Sequence, residues 1–186
     1  MLKLEEILET EKLWAAFSKK GLIWLSLQGP FSEDQRNNDK DHLYYSTVDL
    51  TRNFAREPAE HSVMEMMLVR ETYHFLHTGR HQMPLDFSSF TSFQQTVFSE
   101  VLKIAPGTTT TYKKIATQLG NSNSARAVGT AISLNPVAYF VPTHRVLPST
   151  RGIGICKSGA GHLREKLLRH EGHDLNVLCK SRNTSQ

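Results

Sequence analysis

Apolar and polar positions alternate along this chain in two regimes, and the change falls near residue 87. Over the first 17 residues Leu4, Ile7, Leu8, Trp14 and Phe17 recur at roughly helical spacing, which predicts an opening helix. Gly21 breaks that pattern. Leu22-Ile23-Trp24-Leu25-Ser26-Leu27, closed by Gly29-Pro30, predicts a strand and a turn. Residues 31–42 are polar and charged and predict a loop, and Leu43 to Val48 a further strand. Pro58 suits the first turn of a helix running to about Leu76, with Val63, Met66, Met67, Val69, Tyr73 and Leu76 on its apolar faces and Gly79 as its stop. His74, His77 and His81 would share a face if that helix continued, and the reading adopted is a solvated helix end rather than a metal site. Met83 to Phe87 reads as extended and is taken as the domain join.

The second half is more sharply punctuated. Ser92 is placed to cap a helix carrying Phe93, Val97, Phe98, Val101 and Leu102, closed by Pro106-Gly107. Thr108 to Tyr112 leads into a short helix with Ile115 and Leu119, stopped by Gly120. Asn121-Ser122-Asn123 forms a turn, and a second helix runs from about Ser124 to Leu134, ending at Asn135-Pro136. Helix, short glycine-containing turn, helix is the helix-turn-helix order. The expected layout is a small domain over 1–87, a second over 88–175 and a flexible tail over 176–186.

Charge sharpens the division. Residues 1–87 hold 10 Lys+Arg against 14 Asp+Glu, a balance of −4; residues 88–186 hold 12 against 4, a balance of +8. Either the C-terminal half faces a polyanion or basic residues cluster by chance on a solvated face. The N-terminal residues interleave charge with apolar side chains, so neither a signal peptide nor a membrane span is expected, and the expected location is the cytoplasm, or the nucleus in a eukaryote. Two cysteines, Cys156 and Cys179, make at most one disulfide and no four-cysteine zinc site.

On the second predicted helix Ala127, Thr130, Ala131 and Leu134 fall at i, i+3, i+4 and i+7, and most neighbouring side chains are small. Gly129 in mid-helix costs about 1 kcal/mol against Ala, so it calls for a close approach, either to another helix or to a narrow groove. Downstream stands Val141-Pro142-Thr143-His144-Arg145-Val146. Together with Ser124 to Pro136, this hexapeptide resembles the O6-alkylguanine-DNA alkyltransferase family, the methylated-DNA–protein-cysteine methyltransferases. The resemblance covers about residues 84–173. It implies an α/β N-terminal domain joined to a mainly α, winged-helix-like C-terminal DNA-binding domain with a helix-turn-helix. It implies binding to double-stranded DNA through the minor groove and flipping of O6-alkylguanine into a pocket. Arg126 would fill the hole in the base stack, Tyr112 would press on the 3′ phosphate, and Ala127, Gly129 and Thr130 would lie against the groove. Lys113, Lys114 and Arg151 are candidate phosphate contacts.

At the reaction centre the resemblance implies His144 as the group that activates the acceptor, Glu171 as its orienting carboxylate, Asn135 as the brace of the turn, and Pro142, Val146 and Cys156 at the pocket. The family's acceptor is a cysteine in Pro-Cys-His-Arg-Val. Here that position is Thr143. A hydroxyl is too weak an acid for His144 to turn it into an alkoxide, so no alkyl transfer to Thr143 is expected, although Thr is small enough to keep a hydrogen bond to His144. The expected activity is a non-transferring reader of the lesion, as in alkyltransferase-like proteins, with excision-repair proteins as partners. Two alternatives stand beside it. One is a suicidal alkyl acceptor, with Cys156 as a relocated nucleophile or with Thr143 replacing a cysteine. The other is a helix-turn-helix transcriptional regulator. No metal or organic cofactor and no membrane partner are expected, and the protein is expected to be a monomer.

Overall fold

The computed structural model describes residues 12–27, 44–49, 63–149 and 161–180, which form two compact units. The first comprises residues 1–89 together with 136–140; the second comprises 90–135 together with 141–186.

In the first unit β1 (Lys12–Ser18) lies between β2 (Gly21–Ser26) and β3 (Tyr44–Asp49), antiparallel to both. The opening helix expected over the first 17 residues is therefore corrected where it is described: Trp14 and Phe17 stand on the central strand of a sheet. The central position explains the misleading spacing. Leu13, Ala15, Ala16 and Phe17 are all buried, and a register shift between Ala16 and Phe17 removes the period-two alternation that marks a strand. Leu4, Ile7, Leu8, the 31–42 loop and Pro58 lie outside the described residues. Gly21, at φ +149, is required by a close approach, because a Cβ there would stand 2.4 Å from the Pro84 carbonyl oxygen. That carbonyl accepts from the Leu22 amide at 2.8 Å, and the Asp86 amide donates to Leu22 O at 2.9 Å, so the segment read as extended adds to the free edge of β2.

Helix α1 (Val63–Thr78) ends where Gly79 turns to φ +67. His81 lies beyond that end, so the three histidines do not share a helical face; its Nε2–H donates to the Phe140 carbonyl at 2.9 Å. Residues 136–140 pack in this unit although they sit between the two helix-turn-helix and hexapeptide motifs in sequence: Pro136 O accepts from the Leu25 amide at 2.8 Å, and the buried Tyr139 hydroxyl bonds Thr72 at 2.8 Å.

The second unit is mainly helical and winged-helix-like. Helix α2 (Ser92–Leu102) is capped by Thr91 rather than Ser92, in a reciprocal box with Gln94. β4 (Thr110–Thr111) leads into α3 (Tyr112–Gln118), whose N-cap is Thr111. A single 3-10 turn (Ser122–Ser124) joins it to α4 (Ala125–Ser133), completing the helix-turn-helix. β5 (Val146–Leu147) pairs in parallel with β4. Helices α5 (Gly161–His170) and α6 (Leu175–Lys180) follow; α6 is regular over residues the sequence assigns to the tail, and Leu175 packs with Leu147 and Leu168. Among the described residues no helix is long and apolar enough to cross a membrane.

Candidate reaction centre and nucleic-acid interface

The sequence dictates a tight path through the hexapeptide. Pro142 fixes φ at −75° with ψ 60°, the centre of an inverse γ-turn, and the Thr143 amide returns to Val141 O at 2.6 Å. A 3-10 turn (Thr143–Arg145) follows at once, with the Arg145 amide bonded to Pro142 O at 3.0 Å. Two successive turns face Thr143 and His144 differently. Thr143 is half-buried, whereas the His144 and Arg145 side chains are enclosed.

The enclosed pair converges on Glu171, the residue that follows α5. His144 Nε2 lies 2.9 Å from Glu171 Oε1. Arg145 donates Nη2 to the same oxygen at 2.6 Å and Nε to both oxygens at 3.0 and 3.1 Å, while its Nη1 donates to the Ile104 carbonyl at 2.8 Å. The Gly107 amide adds a longer bond to Glu171 Oε2 at 3.3 Å. Burial works against ionisation of Glu171, but the hydrogen bonds and charges of His144 and Arg145 outweigh it and bring its pKa down to about 2. Burial pulls His144 below its usual 6.5; the Glu171 carboxylate acts in the opposite direction without cancelling it, and Arg145 and Arg164 add repulsion. Burial thus favours the neutral ring of His144, while the guanidinium of Arg145 lies against Glu171 as a permanent cation. A neutral ring donating Nε2–H to a carboxylate carries its lone pair on Nδ1.

The parallel ladder connects this turn to the helix-turn-helix. Val146 pairs with Thr110 and Leu147 with Thr111, so the exit of the hexapeptide turn is registered against the residue that caps α3, and Tyr112 is the first residue of that helix. Val146 is fully buried in this ladder and supports the turn from within the core. Pro142 is also buried. Tyr112 packs beside α4: a Cβ built on Gly129 would be 3.7 Å from the Tyr112 Cδ1 atom, an ordinary van der Waals contact. Val128, Ala131 and Ile132 turn into the core. The outward face is Arg126, Ala127, Thr130, Ser133 and Leu134. The Thr130 and Ser133 hydroxyls bond back to Arg126 O at 3.1 Å and Thr130 O at 2.7 Å, leaving a low, nearly featureless surface with one cation at its start. Lys113 and Lys114 are exposed on α3, and no Asp or Glu stands between Glu100 and Glu165 in the sequence. Asn135 closes α4 with its amide on Ile132 O at 3.2 Å before the chain enters the first unit. Cys156 and Arg151 lie outside the described residues, and among the described residues no cluster of His, Cys, Asp and Glu is placed to hold a metal.

The residue that motif reading left without a role is Arg145. Its signal is compositional: residues 88–186 contain only Glu100, Glu165, Glu171 and Asp174 as acids, so an enclosed arginine had few carboxylates to meet.

A family model described as "6-O-methylguanine DNA methyltransferase, DNA binding domain" matches residues 92–173. A methylated-DNA–protein-cysteine methyltransferase of Sulfolobus acidocaldarius is 32% identical over 127 residues, covering 66% of this chain and 79% of that protein. One from Sulfurisphaera tokodaii is 41% identical over 92 residues, and one from Mus musculus 42% over 82; the matches cover 50% and 44% of this chain. The chain spans about half the length of the first and less of the second, 56% and 39%. Among solved structures, the O6-methylguanine methyltransferase of Mycobacterium tuberculosis superposes with a TM-score of 0.59 at 26% identity, over 90% of this chain and 85% of that one.

Proposed function

The chain belongs to the methylated-DNA–protein-cysteine methyltransferase family, and from that premise we propose that it is a DNA-repair protein that reads O6-alkylguanine in duplex DNA without accepting the alkyl group. The observation that carries this reading is a hydrogen-bonded His144–Arg145–Glu171 centre kept behind a hydroxyl at Thr143. Three buried polar side chains are costly to keep unless fully paired, and here they are paired. The group at the exposed end is one that displacement chemistry cannot use at neutral pH.

In this reading α4 lies against the minor groove. The short side chains of Ala127 and Thr130 permit close approach, and Arg126, exposed in the first turn, enters the stack where a nucleotide has left it. Tyr112, packed beside Gly129, presses on the phosphate of the displaced nucleotide. Flipping costs a few kcal/mol and less for a weakly paired, damaged base, which is itself a source of selectivity. The flipped guanine meets a hydroxyl rather than a thiolate, stays alkylated, and dissociates with the DNA. Removal of the lesion then falls to excision-repair proteins.

The test is the affinity of the full chain for two duplexes that differ by one O6-methylguanine, at one fixed salt concentration because the phosphate contribution varies with salt. Tighter binding to the lesion, with no gain of mass by the protein, is expected. Equal binding to both would refute the reader. Preference for a base sequence irrespective of the lesion would favour a transcriptional regulator.

A further inference from the structure

The chain runs from α4 to the hexapeptide through residues 136–140, and the first unit grips that strap along its length. The Leu25 amide donates to Pro136 O at 2.8 Å, Val137 forms an isolated bridge with Leu25, and the Tyr139 hydroxyl bonds Thr72 at 2.8 Å. Ala138 is held at φ +43, a left-handed conformation that alanine rarely adopts unless its surroundings enforce it. The last residue of the strap is fixed by a side chain. His81 donates Nε2–H to the Phe140 carbonyl at 2.9 Å, with the two rings 4.8 Å apart. His81 is steadied in turn by Glu71, a carboxylate buried on α1. Glu71 accepts the Gln82 amide at 2.6 Å as well as the Arg70 guanidinium, which restrains the peptide link that follows His81. The Phe140 carbonyl lies close to Thr143 along the chain. A peptide unit is planar, so holding that oxygen restrains the whole Phe140–Val141 link. The ring of Pro142 locks its own φ. Only φ and ψ of the buried Val141 and ψ of Pro142 then separate the held plane from Thr143.

We propose that His81 is a positioning residue of the hexapeptide turn: through the Phe140 carbonyl it sets the path on which Thr143 and His144 are presented, and Glu71 keeps it in place by holding the Gln82 amide. The inference rests on the proposed function, since it takes that turn to be where the lesion is read. Its first test reads the free protein, so a failure to bind lesions and a failure of this assignment are separable. One consequence is that a substitution in the first unit alters lesion discrimination while every side chain of α3 and α4 is unchanged.

The measurement is amide hydrogen exchange of the full chain, followed by NMR. The Thr143 amide bonds Val141 O at 2.6 Å and the Arg145 amide bonds Pro142 O at 3.0 Å, so both report the turn. His81→Leu removes the donor and keeps an apolar side chain. It should speed exchange of those two amides roughly tenfold, the factor equivalent to one buried hydrogen bond, while the amides of α2 change less. His81→Gln, whose side-chain amide nitrogen can take the place of Nε2, should restore slow exchange. Unchanged exchange at Thr143 and Arg145 in folded His81→Leu overturns the proposal. So does equal acceleration throughout α2, which marks a general loss of stability, or fast exchange at the turn in folded His81→Gln. The unmodified chain gives a reading that depends on no variant folding: long-range proton–nitrogen NMR should show a hydrogen on His81 Nε2, because a carbonyl only accepts, and an Nε2 without one overturns the proposal. In duplex binding at one salt concentration, His81→Leu should reduce the preference for O6-methylguanine more than it reduces binding to the undamaged duplex. Full preference retained in folded His81→Leu overturns the positioning role. A lack of preference in the unmodified chain would remove the reader, and the exchange rates alone would then decide the role of His81.

Discussion

Replacing Glu171 with Gln tests how the reaction centre is held together. The substitution keeps size and one acceptor oxygen but removes the charge. Arg145, enclosed at 2% exposure, then keeps the Ile104 carbonyl at 2.8 Å and loses the carboxylate it pairs with at 2.6 Å. Breaking one side of a buried ion pair costs about 3–5 kcal/mol, against about 0–1 kcal/mol for an exposed pair. At about 2–4 °C per kcal/mol for a chain of this size, the melting temperature should fall by about 6–20 °C. Denaturant titration at neutral pH, followed by circular dichroism, measures the free energy directly. A second substitution separates charge from packing: Arg145→Met in the Glu171→Gln background removes the stranded cation and should recover part of the loss. A loss below about 1 kcal/mol for Glu171→Gln alone would show that Arg145 reaches solvent or another anion, and the account of the centre as a closed charge pair would be wrong.

Thr143→Cys should convert the chain into a stoichiometric acceptor that gains one alkyl group per molecule by mass spectrometry; no adduct would show that the surrounding pocket does not support displacement. Arg126→Ala should weaken discrimination between lesion and undamaged duplex more than it weakens overall binding, measured as the ratio of the two dissociation constants at one salt concentration. Stability should decline as pH falls below 6.5: burial depresses the folded-state pKa of His144, so the unfolded chain takes up that proton first. A second loss should appear as pH falls through 4.5 toward about 2, where Glu171 is ionised when folded but protonated when unfolded, and Glu171→Gln should remove it in a pH series of denaturation midpoints. In the N-terminal unit, Thr72→Val should cost about 1–3 kcal/mol because it strands the buried Tyr139 hydroxyl, whereas Tyr139→Phe should cost about 1 kcal/mol because Thr72 keeps its bond to Leu68 O at 2.7 Å.

Where local chemistry decides conformation, the sequence was legible. Gly79 and Gly120 stop helices because each adopts a positive φ, and the breakers around α3 and α4 placed the helix-turn-helix within a residue or two. His144 and Glu171 were named together only through the family resemblance of the hexapeptide; the structure brings them to 2.9 Å. Less was legible where burial on both faces erases periodicity, as in β1, whose apolar run imitates helical spacing. The inward turn of Ala131 and the capping of α2 by Thr91 rather than Ser92 depend on rotations of one residue, which small or hydroxyl side chains do not report.

The sequence by itself determined the chemistry of the chain: an acid-free stretch from 101 to 164, a small-residue helix beginning with Arg126, and a hydroxyl where a displacement reaction would need sulfur. Tertiary structure alone decided which groups act together. The ladder of two residue pairs that ties the hexapeptide turn to the start of α3, the packing of Tyr112 beside Gly129, and the capture of Glu171 by Arg145 as well as His144 all join positions distant along the chain. Residue identity fixes what a side chain can donate or accept. Which partner it meets, and whether water is excluded when it does, is set by how helices and strands pack, and no local pattern encodes that.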